Sequence, residues 1–204
     1  MWLWLGAIAA LALQSAPAAQ EGSSAEPPAR ISVTPEIVRQ TYCDGRGEIN
    51  VLQLRVKLRF RNDGDSPAVL YLGSPAVVRI VLARDEGALL DGVYRTDLFP
   101  SVYSAAAAPV SSRFYALPPG RTTSADLPLA VAIPFALHSA DVPGIARAGS
   151  HVLRLTVNLW PDDPALTDTW SRQLAGKGRL VHSLLVTKPI PLEIARRPRL
   201  VRCE

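Results

Sequence analysis

The chain has 204 residues, of which 48% are hydrophobic, and 22 Lys and Arg against 18 Asp and Glu leave a formal charge of +4. A charge this small does not by itself imply a nucleic-acid partner, and with only two cysteines and three histidines the chain has no cysteine-based zinc framework. Only Lys57, Lys177 and Lys188 among the 22 basic residues are lysine; Arg for Lys, with abundant Ala and Pro, is the bias of a bacterium with a GC-rich genome.

Residues 1–19 read as a signal peptide. Trp2 to Leu13 is apolar throughout, and Ala16, Ala18 and Ala19 offer a small-residue cleavage region. The apolar run is too short to span a bilayer comfortably, and no cysteine follows it for lipid attachment. The segment lacks a preceding Lys or Arg; an uncleaved anchor and a buried N-terminal helix are the alternatives. The expected location is secreted or periplasmic, with membrane contact only through an uncleaved signal segment. Residues 20–30 are polar and Pro-rich, a flexible linker. Residues 31–204 then form a single domain, large enough for a core without staples.

Residues 31–42 predict a strand that Pro35 confines to an edge or interrupts. Asp44 to Gly47 is a turn by composition. Residues 51–61 carry the clearest pattern in the chain. Leu52, Leu54, Val56, Leu58 and Phe60 alternate with Gln53, Arg55, Lys57, Arg59 and Arg61, which puts one set on each face of a strand roughly 33 Å long. Residues 62–67 (NDGDSP) end it in a hairpin or tight corner. Asp63 and Asp65 lack the other ligands of a calcium loop.

Strands are expected at 68–73 and at 76–84, the latter apolar on both faces except Arg79 and so central in its sheet. A short strand over 88–95 and an irregular stretch over 97–111 follow. Phe99 and Tyr103, with Phe114 and Tyr115 nearby, form a candidate recognition loop. The segment 113–117 predicts a strand, Leu117 to Gly120 a turn, and 122–134 a strand made an edge or bulge by Pro128. A loop over 135–149 leads to a strand at 151–160, with Leu153, Leu155, Val157 and Leu159 inward and Arg154, Thr156 and Asn158 outward. One helix is expected at 164–175, capped by Asp162 or Asp163, opened by Pro164 and ended by Gly176, with Leu166, Trp170 and Leu174 on one face. Strands at 180–186 and 190–194 precede a basic tail of Arg196, Arg197, Arg199 and Arg202.

This pattern predicts an all-β protein, an antiparallel β-sandwich of eight to ten strands with one short helix near residues 164–175. Three stretches, Phe60 to Pro67, Leu117 to Gly120 and Gly149 to Leu155, resemble segments of the immunoglobulin-like domains of exported bacterial proteins. The resemblance covers about half of the folded part and implies an immunoglobulin-like sandwich. It carries no catalytic residues, and the antibody-type Cys…Trp…Cys core is missing.

In an oxidising compartment the two cysteines predict a disulfide between Cys43 and Cys203, closing a loop of about 160 residues. No Gly-x-Ser-x-Gly elbow, Ser-x-x-Lys pair or phosphate-binding glycine loop occurs. His138, His151 and His182 have no ligand-like spacing, and the adjacent pairs Asp85-Glu86 and Asp162-Asp163 fit turn and cap chemistry better than a catalytic dyad. The expectation is therefore no catalytic residue, cofactor or metal. Arg55, Lys57, Arg59 and Arg61 are the candidate anion-binding or partner-binding residues. The same stripe could also be a solvated face with cross-strand acidic partners. The expected function is a non-enzymatic binding or structural module of the cell envelope. Its partner would be a protein or acidic polysaccharide, not nucleic acid. The alternatives are an exported metal-dependent hydrolase using the three histidines, and a chaperone or protease inhibitor acting through a sheet edge.

Overall fold

The computed structural model describes residues 30–44, 49–73, 75–91, 94–97, 109–134, 146–161 and 163–202. Twelve strands and one α-helix lie among them. β1 (Ile31–Asp44), β2 (Ile49–Asn62), β7 (Thr122–Pro134) and β12 (Leu200–Arg202) form a sheet in the order β12-β1-β2-β7. A second sheet has the order β10-β8-β4-β5, from β10 (Leu185–Val186), β8 (Gly149–Asn158), β4 (Ala76–Ala83) and β5 (Tyr94–Asp97), with β11 (Ile190–Ile194) also on β8. A small third sheet has the order β6-β3-β9, from β6 (Phe114–Leu117), β3 (Ala68–Tyr71) and β9 (Arg179–Leu180). The helix α1 spans Pro164–Leu174.

The two larger sheets face each other across one core. From β2 come Leu52, Leu54, Val56, Leu58 and Phe60, none more than 2% exposed; Ile80 and Leu82 of β4 and Leu153, Leu155 and Val157 of β8 meet them. Each such side chain contributes roughly 1.5–3 kcal/mol by leaving water. As its composition implies, β4 is central, between β8 and β5. The third sheet is covered on both sides, with Ala68 and Leu70 in the main core and Val69 and Tyr71 under α1. The helix bears Leu166, Trp170 and Leu174 on its packed face, and Asp163 Oδ1 accepts the Leu166 N–H at 3.0 Å as its cap. Tyr71, Phe114, Trp160 and Trp170 form one aromatic cluster, the Phe114 and Trp170 rings stacked at 4.6 Å.

Asn62 joins two of the motifs read from sequence. Its side chain is buried; Nδ2 donates to Ser66 O at 2.8 Å and Leu117 O at 2.9 Å, and Oδ1 accepts the Gly64 N–H. The corner at 62–67 thus locks onto the turn at 117–120, where Gly120 has φ 71°. β2 and β3 do not form a hairpin, because the corner passes the chain into another sheet.

Several expectations are corrected. The sandwich is mixed: β12 runs parallel to β1, and β9 parallel to β3. The single strand expected over 180–186 is two short pieces, β9 and β10, in different sheets. Residues 86–91 form a 3₁₀ helix, with the strand beginning only at Tyr94. The basic tail contains β12. Asn158 is buried rather than outward, its Oδ1 accepting the Trp160 N–H. Phe114 is packed in the aromatic cluster instead of standing in a recognition loop, while Tyr115 is exposed. Phe99, Tyr103 and the turn at 45–47 lie outside the described residues.

Candidate functional site

On β2, Arg55, Lys57, Arg59 and Arg61 share the outward face, since the residues between them fill the core. Their partners are acidic side chains close at hand. Arg59 Nη2 meets Glu36 Oε2 of β1 at 2.5 Å, Arg55 Nη2 meets Asp126 Oδ2 of β7 at 3.5 Å, and Arg61 Nε meets Asp63 Oδ1 at 3.1 Å. Lys57 stands in register between Glu36 and Asp126. Pairs this exposed are worth about 0.2–1 kcal/mol each. Arg59 is therefore neutralised across the strands, and Arg61 by the Asp63 that follows it.

The exception is the Arg55 end of the stripe. At 3.5 Å the Asp126 contact is too long for a good hydrogen bond, and the residue directly across from Arg55 on β1 is Arg39. Like charges opposed in an antiparallel pair repel. This arrangement is produced by a bulge. In β1 the inward residues are first Val33, Pro35 and Ile37; the register shifts between Ile37 and Arg39, after which Gln40 and Tyr42 oppose the inward Leu54 and Leu52. The extra residue, Val38, is 47% exposed. It rotates Arg39 and Thr41 to the outer face, a local re-aiming typical of bulges. The inward Gln40 is satisfied by the Tyr42 hydroxyl and Glu193 O.

Arg39, Arg55 and Arg202 line an open groove of about 810 Å³ that crosses all four strands of the sheet, with Thr41, Gln53, Asp126 and Pro128 among its other walls. Neither Arg39 nor Arg202 has an ion-pair partner among the described residues. Lys57, Arg59 and Arg61 are not part of the groove. The structure so brings one of the four stripe residues together with two arginines not singled out from sequence. Arg39 had a signal: it falls on the apolar parity of Ile31, Val33, Pro35 and Ile37, and a charge at an inward position announces a bulge. Arg202 had none, because its parallel pairing with β1 is a long-range contact.

The two described histidines do not converge. His151 is buried, its Nδ1 2.9 Å from Gly149 O at the start of β8. It is therefore not the surface imidazole its strand-start position suggests. His182 is exposed beyond β9, in a smaller hollow of about 460 Å³ beside Ser171, with no carboxylate in its lining. That hollow adjoins α1, and the chain leaving it pairs with β8 at Val157, about 20 Å along the strand from His151. His138 lies outside the described residues, among which no group of three or more His, Cys, Asp or Glu could hold a metal. Cys43 is buried, and its register partner in β12 is Val201, two residues before Cys203, which lies outside the described residues. Among the described residues no helix is long and apolar enough to cross a membrane.

No family model matches the chain, nor does any curated protein or solved structure.

Proposed function

We propose that this chain is an exported, non-enzymatic, immunoglobulin-like binding module of the cell envelope that holds an anionic partner on the outer face of its four-stranded sheet. The observation that carries the reading is the opposition of Arg39 to Arg55 in a groove that Arg202 also lines, Arg202 standing in register with Asp44 further along β1. Arg55 reaches Asp126 only at 3.5 Å and Arg39 has no ion-pair partner among the described residues, so an anion between these two guanidiniums relieves their repulsion. Binding rather than catalysis fits the lining. A glycosidase requires two carboxylates across a cleft, and among the described residues Asp126 is the one carboxylate that lines the groove.

The test compares capture of envelope material by the native chain, by R39S/R55S/R202S, and by an R84S control at an exposed arginine outside the groove. Capture should fall at least tenfold for the triple variant and stay unchanged for the control. Equal capture by the triple variant would overturn the reading.

A further inference from the structure

The groove does not end at Arg202. The segment joining β11 to β12 carries Arg196, Arg197 and Arg199, all exposed and none with an ion-pair partner among the described residues. Both ends of this segment are tied to one residue of β1. The Ala195 N–H donates to the Tyr42 hydroxyl at 2.8 Å, and Leu200 pairs in register with Tyr42. Tyr42 is three residues from Arg39, about 10 Å along the strand. The six arginines 55, 39, 202, 199, 197 and 196 therefore follow the path from the middle of the sheet to its edge, a basic band interrupted by Asp126 and by Asp44, the register partner of Arg202. A single carboxylate or sulfate reaches one or two guanidiniums, so most of this band would stay unmatched by a small anion.

Building on the binding-module reading, we infer that the partner is a linear acidic polysaccharide, held by the groove and by the arginine crossover together. Guanidinium forks match carboxylate and sulfate groups in bidentate fashion. Between Arg39 and Arg55 on one side and Arg202 on the other stand Thr41 and Gln53, neutral hydrogen-bonding groups suited to sugar hydroxyls. Among the described residues no aromatic ring lines the groove, which removes the stacking platform that single-stranded nucleic acids use. Leu54, Leu127 and Leu129 at its floor are buried in the main core, so the groove lacks the deep apolar pockets that anchor protein partners.

The experiment measures binding of the folded chain to polygalacturonate and dextran sulfate, with galacturonate monomer, poly-glutamate and oligo-dT of matched charge as comparators at one salt concentration. Two variants are used, R39S/R55S for the groove and R196S/R197S/R199S for the crossover, with unchanged urea midpoints as the check on folding. One polysaccharide should bind at least 100-fold more tightly than the monomer, and each variant should weaken it at least tenfold. Loss of binding in the groove variant with none in the crossover variant overturns the polymer inference and leaves the binding-module reading standing. Binding unchanged in both variants overturns both. Tighter binding of poly-glutamate or oligo-dT, or no binding of either polysaccharide, overturns the choice of polysaccharide.

Discussion

Asn62 shows how a single amide can set a local geometry. Two backbone carbonyls and one N–H depend on it inside a buried corner, and a buried polar group left without its partner is costly. Asn62→Ala should destabilise the domain by about 2–4 kcal/mol in urea unfolding. Asn62→Asp should not rescue it, since a carboxylate cannot donate to Ser66 and Leu117. Gly178 is a second such position. Its φ is 134°, and a Cβ there would lie 2.5 Å from Pro67 O. Gly178→Ala is expected to cost at least about 2 kcal/mol, read by the same unfolding experiment. Neither effect is visible in composition. The Asn62 turn was legible as a turn from its Asn, Gly and Pro, but its contact with Leu117 joins residues 55 positions apart. By contrast, Arg59→Ser should shift stability by less than about 1 kcal/mol, because its partner Glu36 is as exposed as it is.

Among the elements, β2 and α1 were the most readable because their patterns are local. Period-two alternation needs only one apolar layer, and the helix announces itself with Asp163, Pro164 and an i, i+4, i+8 stripe. Asp163→Ala should cost about 1 kcal/mol through the lost cap at Leu166. Trp170→Ala should cost about 3–5 kcal/mol, since it also removes the ring stacked on Phe114; thermal unfolding followed by tryptophan fluorescence checks both. The β1 bulge lies at the boundary of legibility. Its break in alternation is present in the sequence, just beyond the more conspicuous disturbance of Pro35. Pro35 proves tolerable because its missing N–H faces away from β2, on the edge where Val33 O accepts the Lys188 N–H. Pro128 similarly sits in β7, paired with β2 in an unbroken register, so its missing donor faces the sheet's outer edge.

Over the whole molecule, β12 decides how the chain closes. Its parallel pairing brings the C-terminal segment against Cys43, with Val201 opposite it. A disulfide between Cys43 and Cys203 would lock that pairing. The expected result is no titratable thiol in the unfolded but unreduced protein. Cys203→Ser should lower stability by up to about 5 kcal/mol on the chain-entropy model. Two free thiols per chain in that assay would refute the bridge. The same pairing delivers Arg202 to the groove and lays the arginine crossover beside Tyr42, so fraying of β12 should weaken anion binding as well as stability.

What the sequence alone determined is what short-range physics encodes: the alternation of β2 and β8, the cap and stripe of α1, the turns built from Gly, Asn and Pro, and the all-β class. What only the tertiary structure decided is which charges meet. Arg55, Lys57, Arg59 and Arg61 look equivalent along one strand, yet Glu36 of β1 pairs with Arg59, Asp63 with Arg61, and the register of β1 sets Arg39 against Arg55. Strand pairing is fixed by contacts between distant residues, and a one-residue bulge at Val38 is enough to exchange the faces of β1. The binding surface inferred here is therefore a property of the register, which no single stretch of the chain contains.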